Sequence, residues 1–182
     1  MTSSVTGDAG PTTRHTPWHL VVMGVSASGK TTVAREMNRT LRWEFAEGDD
    51  FHPQANVDKM ASGVALTDED RRPWLRALAD WTAEHDAAGR STIMSCSALR
   101  RSYRDVLREG GVGTFFVHLT GDKELLLRRM SHRGGHFMPV ELLDSQLATL
   151  EPLEPDEPGA AFDVTPPPRL IASSVLRELG LA

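Results

Sequence analysis

The feature that most constrains the fold is the segment at residues 24–31, whose sequence GVSASGKT fits the pattern G-x-x-x-x-G-K-[ST]. It follows an apolar run at residues 20–23 and opens a helix-compatible stretch at residues 32–41. Glycines let the backbone turn tightly, so that successive N–H groups point at an anion, and the N-terminus of a following helix adds positive charge. In this strand–loop–helix context the segment predicts a phosphate-binding P-loop, whereas the alternative is an ordinary glycine-rich turn.

The motif assigns a role to the polar groups of this loop. Lys30 is expected to reach the β- and γ-phosphates of a nucleotide, and the hydroxyl of Thr31 is expected to ligate Mg²⁺. The residues predicted to contact the nucleotide here are Gly24, Ser26, Ala27, Ser28, Gly29, Lys30, Thr31 and Thr32.

Short apolar runs alternate with helical patterns along the rest of the chain. Strands are predicted at residues 18–23, 43–47, 91–95, 114–119 and 162–164. Helices are predicted at residues 30–41, 72–85, 123–131, 140–150 and 169–179. Thr67 and Asp70 resemble a capping box. This alternation predicts an α/β fold with a parallel five-stranded sheet and helices on both faces, whose ligands bind beyond the carboxyl ends of the strands.

The bulk composition narrows the class of protein. A chain of 182 residues suits one domain, predicted at residues 18–182, after a Thr-, Ser-, Gly- and Pro-rich leader at residues 1–17 that is expected to be disordered. A net charge of −5 does not fit a nucleic-acid binder. The single cysteine, Cys96, excludes an internal disulfide and fits a reducing cytoplasm. No apolar stretch approaches the roughly 20 residues that span a bilayer.

Two adjacent carboxylates follow the second predicted strand, in the sequence GDDFHP at residues 48–53. Near a P-loop, one of Asp49 and Asp50 can hold the Mg²⁺ shell and the other can orient an attacking hydroxyl. Because neighbours on an extended segment point in opposite directions, we expect them to have different roles. A solvated acidic turn is the alternative, and His52 is either a donor to a polar substrate or a turn residue.

Two further segments carry arginines. After the third strand, Ser97 is a predicted helix N-cap, and Arg100, Arg101 and Arg104 follow near the helix start, where cations oppose the helix dipole and therefore indicate an anion. In the segment at residues 128–138, Arg129 and Arg133 are four apart and precede a glycine pair. This pattern predicts an arginine-bearing lid at about residues 122–150, which suits phosphoryl transfer. The alternatives are a solvated basic face and an ordinary basic helix end.

Together these segments resemble the gluconate kinase family of small P-loop carbohydrate kinases, over roughly residues 20–158. Besides the P-loop, the blocks that carry the resemblance lie at residues 48–60, 63–74, 96–108 and 133–152. The resemblance implies ATP- and Mg²⁺-dependent phosphorylation of D-gluconate at O6, in a nucleoside-monophosphate-kinase-like fold of the P-loop NTPase class. It also implies a cytoplasmic homodimer with small-molecule partners, which feeds the pentose phosphate or Entner–Doudoroff route.

The resemblance also implies residue roles. Lys30, Asp49, Asp50 and Arg133 would be catalytic, and Thr31 and Asp49 would hold the metal. Arg129 would join the P-loop in nucleotide binding. The substrate-binding residues would be Asp50, His52, Arg71, Arg104 and His136.

Three alternatives remain open from the sequence. One is another small-molecule P-loop kinase, of the shikimate or adenylylsulfate type. A second is a GTP-hydrolysing switch, although the chain lacks an Asn-Lys-x-Asp guanine signature. A third is a non-catalytic, nucleotide-dependent sugar-acid sensor.

Overall fold

The computed structural model describes residues 16–131 and 140–182. Its strands form one parallel sheet in the spatial order β2-β3-β1-β4-β5. The strand bounds are β1 His19–Met23, β2 Glu44–Glu47, β3 Thr92–Ser95, β4 Thr114–Thr120 and β5 Gly159–Asp163. The predicted parallel five-stranded sheet is therefore confirmed.

Seven α-helices are assigned within the described residues. The helix bounds are α1 Lys30–Leu41, α2 Gln54–Ala61, α3 Asp68–Ala87, α4 Arg101–Arg108, α5 Lys123–Ser131, α6 Val140–Thr149 and α7 Pro168–Glu178. A 3₁₀ turn, Gly48–Phe51, lies between β2 and α2. None of the helices in the described part of the chain is long and apolar enough to cross a membrane.

The core consists of two apolar layers, one on each face of the sheet. On one face α1 packs against α7, and their side chains meet Val22 of β1 and Val117 of β4. On the other face α3 packs against α4, and Trp74 and Leu78 meet Met23. Because β1 is buried on both faces, its sequence is continuously apolar after His19 instead of alternating. Each fully buried apolar side chain in these layers contributes about 1.5–3 kcal/mol to stability.

The predicted capping box is confirmed and sets the start of α3. The Thr67 side chain accepts a hydrogen bond from the Asp70 N–H, and the Asp70 carboxylate accepts one from the Thr67 N–H. The helix therefore begins at Asp68, four residues before the predicted start. Lys59 of α2 donates to the same carboxylate at 2.5 Å. These hydrogen bonds, that of Lys59 first, lower the pKa of Asp70 to about 2.

Other boundaries differ from the sequence prediction. Ser97 is not a helix N-cap, because α4 begins only at Arg101 and Ala98 adopts a left-handed φ of 45°. The segment that carries Asp49 and Asp50 is a 3₁₀ turn and not an extended strand end, so the argument that the two side chains point in opposite directions fails. The helix α2 was not predicted. The proposed leader lies outside the described residues except for Thr16 and Pro17.

Candidate active site

The P-loop, the aspartate-bearing segment after β2 and the arginine-bearing segment after β3 meet at the carboxyl edge of the sheet. The strands β2, β3 and β1 are neighbours, and their carboxyl ends lead directly into these segments. The Gly24 N–H donates to the Ser97 carbonyl at 3.3 Å, which joins the P-loop to the segment after β3. A Cβ atom on Gly48 would lie 2.3 Å from the Ser95 carbonyl oxygen, so only glycine allows the aspartate-bearing turn to approach β3 this closely.

The backbone of the P-loop adopts positive φ angles at Gly24, Ala27 and Gly29, which fit a tight turn around an anion. Gly24 has a φ of 142°, and a Cβ there would meet the Leu119 carbonyl at 2.7 Å. Ala27 has a φ of 63°, which costs an L-residue roughly 1–2 kcal/mol and indicates a functional constraint. The helix α1 starts after Gly29 with no side-chain cap, so its first N–H groups remain available to a ligand.

Two side chains of the loop also fit a phosphate. The Ser28 Oγ is buried and has no hydrogen-bond partner among the described residues. Burial of an unsatisfied hydroxyl costs roughly 1–3 kcal/mol, which an anionic oxygen nearby would offset. The Lys30 ammonium donates to the Val25 carbonyl at 3.1 Å, so it is folded back along the loop. These groups therefore fit the phosphates of a nucleotide.

The aspartate-bearing turn is anchored by α3. The Trp74 Nε1–H donates to the Gly48 carbonyl at 2.7 Å in a buried hydrogen bond. Asp49 and Asp50 are both exposed on this turn. Burial is the main cause of the lowered pKa of His52 and of the raised pKa of Cys96, and the charge of Asp49 acts on both groups in the upward direction. The charge of Asp49 therefore reaches both His52 and the end of β3.

Burial is the main cause that raises the pKa of the Cys96 thiol, to about 12. This side chain is therefore a protonated thiol at neutral pH and does not act as a nucleophile.

His52 lies flat on Trp74, with ring centroids 4.3 Å apart and an interplanar angle of 14°. Desolvation by burial lowers the pKa of His52, and the nearby Arg71 lowers it further, while Asp49 opposes them. The ring is therefore neutral at pH 7 and has both a donor and an acceptor nitrogen. One of these, Nδ1, lies 3.4 Å from the Nδ2 of Asn56.

Two arginines face one aromatic ring beside His52. The guanidinium carbons of Arg71 and Arg100 lie 5.7 and 5.9 Å from the centroid of the Tyr103 ring. The Tyr103 hydroxyl donates to Asp68 at 2.5 Å, and Arg100 donates to the same carboxylate at 3.0 Å. We call these four residues the arginine cluster. It carries two positive charges and one negative charge, so it has the net charge to bind a carboxylate.

Arg104 is not exposed at the carboxyl edge of the sheet. Its side chain is fully buried and forms a two-point ion pair with Glu157, with Nε–Oε1 2.5 Å and Nη2–Oε2 2.8 Å. Its remaining N–H groups donate to the carbonyls of Ala98, Leu99, Glu151 and Pro152. All of its donors are engaged inside the protein. The structure thus corrects the prediction that Arg104 binds the substrate, because Arg104 ties α4 to the segment after α6.

The anions that the arginines after β3 were predicted to meet are carboxylates of the chain itself. Arg101 pairs with Asp105, Glu154 and Asp156, all at 3.0 Å or less. Arg100 pairs with Asp68, as described above, and keeps an exposed side. Of these arginines, only Arg100 remains a candidate for a substrate anion.

On the opposite side of the P-loop, two residues of α5 and α6 approach the site. Arg129 donates to the Val164 carbonyl at 2.6 Å, beside the end of β5. The Gln146 Oε1 accepts a hydrogen bond from the Ser26 N–H of the P-loop at 2.6 Å. The predicted residues Arg133 and His136 lie outside the described residues. Among the residues the structure does describe, no group of three or more His, Cys, Asp or Glu could hold a metal.

The sequence did not identify Gln146, Asp68, Tyr103 and Glu157 as site or anchoring residues. Each acts through a partner that is at least 32 positions away along the chain. A linear pattern contains no signal for such pairs, although Asp68, Tyr103 and Gln146 lie in the blocks that carry the family resemblance.

A buried histidine behind the site makes stability depend on pH. His118 of β4 is 5% exposed, its Nε2 has no hydrogen-bond partner among the described residues, and desolvation together with Arg104 lowers its pKa to about 4. Between pH 6.5 and 4 the unfolded chain binds a proton that the folded protein does not, so stability falls as pH falls. At pH 5 the loss from this group should be about 2 kcal/mol.

Urea unfolding at pH 7 and pH 5 measures this loss, with His118→Leu as the comparison. The wild type should lose about 2 kcal/mol more than the variant, since other titrating groups are common to both. Equal losses in the two proteins would contradict the assignment.

The strand order, the P-loop and the helices on both sides of the sheet define a protein with the P-loop kinase fold, of the nucleoside-monophosphate-kinase type. The family described as “AAA domain” matches residues 20–153. A gluconokinase from Gluconobacter oxydans (strain 621H) is 47% identical over 162 residues, which cover 89% of this chain and 91% of the relative. The chain belongs to the gluconokinase family, which confirms the resemblance seen in the sequence.

Solved structures agree with this assignment. An unliganded sugar kinase from Janibacter sp. HTCC2649 is 54% identical, with a TM-score of 0.86 over 91% of this chain and 96% of that one. A gluconokinase from Sinorhizobium meliloti 1021 is 43% identical, with a TM-score of 0.80 over 90% of this chain and 94% of that one.

Proposed function

We propose that this protein transfers the terminal phosphoryl group of ATP to the O6 hydroxyl of D-gluconate and forms 6-phospho-D-gluconate. The observation that carries the proposal is that a P-loop, two exposed aspartates and the arginine cluster share one edge of the sheet in a chain of the gluconokinase family. Phosphoryl transfer needs positioning and electrostatic stabilisation more than covalent chemistry. These three groups of residues supply both.

The P-loop would hold the nucleotide. Its N–H groups and the Ser28 hydroxyl would bind the phosphates, and Lys30 would turn from the Val25 carbonyl towards the β- and γ-oxygens. Thr31 and Asp49 would hold Mg²⁺, which usually takes one or two protein ligands and otherwise waters and phosphate oxygens. When bound, this ion would offset charge on the β- and γ-phosphates. Arg129 and Arg133 would contribute cations on the nucleotide side.

The substrate would lie over the ends of β2 and β3. Arg71 and Arg100 would bind its carboxylate, because guanidinium groups match a carboxylate at two points. Asp50 would orient the O6 hydroxyl and accept its proton, and neutral His52, with His136, would hydrogen-bond the sugar hydroxyls. The same proposal includes that the enzyme is a homodimer and acts in the cytoplasm. Its product, 6-phospho-D-gluconate, would enter the pentose phosphate or Entner–Doudoroff route.

An ADP-release assay across matched acceptors tests the proposal. D-gluconate should be turned over with Mg²⁺-ATP. D-sorbitol, which has a hydroxymethyl group in place of the carboxylate, should be at least tenfold poorer, because the net positive charge of the arginine cluster then has no counter-charge in the substrate. Phosphorus NMR of the product should place the phosphate on O6. Turnover of shikimate or adenylylsulfate without turnover of gluconate would favour the rival kinases. Selective GTP hydrolysis would favour a switch, and nucleotide binding without turnover would favour a sensor.

A further inference from the structure

A glutamine side chain occupies a hydrogen-bonding position on the P-loop. The Gln146 carboxamide oxygen accepts from the Ser26 N–H at 2.6 Å, across 120 positions of sequence. Since an N–H group needs an acceptor, the oxygen and not the nitrogen of the carboxamide faces Ser26. A residue of α6 thus contacts the loop that would bind the nucleotide phosphates.

The helix that carries Gln146 is fixed in place at several points. Leu143, three positions earlier on the same helical face, is fully buried in the core. Lys123 of α5 pairs with Asp144 at 2.6 Å. Just after the helix, the Glu151 N–H donates to the Leu99 carbonyl at 2.8 Å. The fold therefore holds α6, and with it the half-buried Gln146, beside Ser26.

A carboxamide suits this position because it can exchange partners. Ser26 is the third residue of the P-loop motif, and the N–H groups of this loop are donors to phosphate. A phosphate oxygen that accepts from the Ser26 N–H replaces the Gln146 oxygen, and rotation of the carboxamide then directs its N–H groups at the same phosphate. A carboxylate at this position would accept from Ser26 equally well but would repel the phosphate.

We propose that Gln146 is a positioning residue for the phosphoryl group that is transferred. It holds the Ser26 amide before the nucleotide binds. The proposal includes that the phosphate which replaces it at Ser26 is the terminal one, to which Gln146 then donates. The inference rests on the proposed kinase function, but it concerns only the nucleotide. It is distinct from a purely structural role, in which Gln146 would simply dock α6 on the loop.

Calorimetry with a non-hydrolysable ATP analogue and with ADP, both with Mg²⁺ and without gluconate, separates these roles. Gln146→Glu should weaken binding of the ATP analogue by about tenfold or more, which is the range for one charge-assisted hydrogen bond. It should weaken ADP binding much less, because ADP lacks the terminal phosphate. Gln146→Met, which keeps the length but loses the donor, should lower kcat while the KM for gluconate stays unchanged. Ala148→Glu is the matched control, since it adds the same charge at an exposed position of α6.

Equal weakening of the analogue and ADP, or no weakening of either, overturns the proposal, as does a Gln146→Met enzyme with normal kcat. If Gln146→Glu fails to fold in a thermal melt, Gln146→Met provides both the binding ratio and the kcat. Failure of the kinase proposal would look different, because the wild-type protein would then not bind the ATP analogue or would not phosphorylate gluconate.

Discussion

Replacing Lys30 with alanine is expected to lower kcat by about a hundred- to a thousandfold, the range seen when one donor to a developing charge is removed. Lys30 is only partly buried, and its ammonium lies on the loop and not in the apolar core, so the fold should survive. The measurement is the rate of ADP release with saturating gluconate and Mg²⁺-ATP. Circular dichroism and a thermal melt of the same sample establish that the variant is folded.

The control for Lys30 lies on the same helix. Arg39 at the other end of α1 is exposed and, within the described residues, forms an ion pair with Glu36 at 2.7 Å. Arg39→Ala therefore removes one positive charge from α1 at the end of the helix that lies away from the P-loop. It should leave kcat within about twofold, since isolated surface ion pairs contribute little. Near-normal turnover of a folded Lys30→Ala enzyme would refute the role given to the P-loop.

Arg104→Ala is expected to destabilise the fold by about 3–5 kcal/mol, because it leaves the carboxylate of Glu157 buried without its partner. Both side chains of this pair are fully buried. Equilibrium unfolding in urea measures the effect. A double-mutant cycle with Glu157→Gln should show strong coupling, since the two residues contact each other directly.

The neighbouring arginine provides the comparison. The three carboxylates that Arg101 contacts most closely are half or more exposed, and the buried Glu157 lies farther away, at 3.9 Å. Arg101→Ala should therefore cost only about 1 kcal/mol. The substrate-binding role first predicted for Arg104 would be restored by the following result. If Arg104→Ala kept its stability and raised the KM for gluconate, the arginine would be a substrate ligand and not an internal anchor.

Local signals in the sequence were sufficient for most of the fold. The P-loop located the β1–α1 unit, and the apolar runs located the first four strands, whereas β5 begins three residues before its predicted start. Thr67 with Asp70 marked the true start of α3, although the apolar stripe begins later. The start of α4 was misplaced at Ser97, because a residue well suited to capping lies in a loop whose backbone is required elsewhere, for the contact with Gly24.

The candidate site was predictable in its parts but not in its pairings. The sequence identified the arginines after β3 as groups that meet an anion, which is correct, but the anions of Arg101 and Arg104 are the protein's own carboxylates. Which guanidinium stays available to a ligand depends on burial and on partners some 50 positions away. Such information exists only once the chain is folded.

The close approach of Gly48 to β3 has a consequence for how tolerant this site is to variation. Backbone meets backbone there, so no flexible side chain can absorb a change, and even the methyl group of alanine would collide with a main-chain oxygen. The distance between this turn and the end of β3 is thereby set by van der Waals contact between the backbone of Gly48 and that of Ser95 and Cys96. Reacting groups must be placed to within about 0.5 Å. At this turn the required precision depends on Gly48 having no side chain, because that allows the direct backbone contact. A substitution at Gly48 would therefore displace the carboxylates of Asp49 and Asp50 together, since both lie on the same turn.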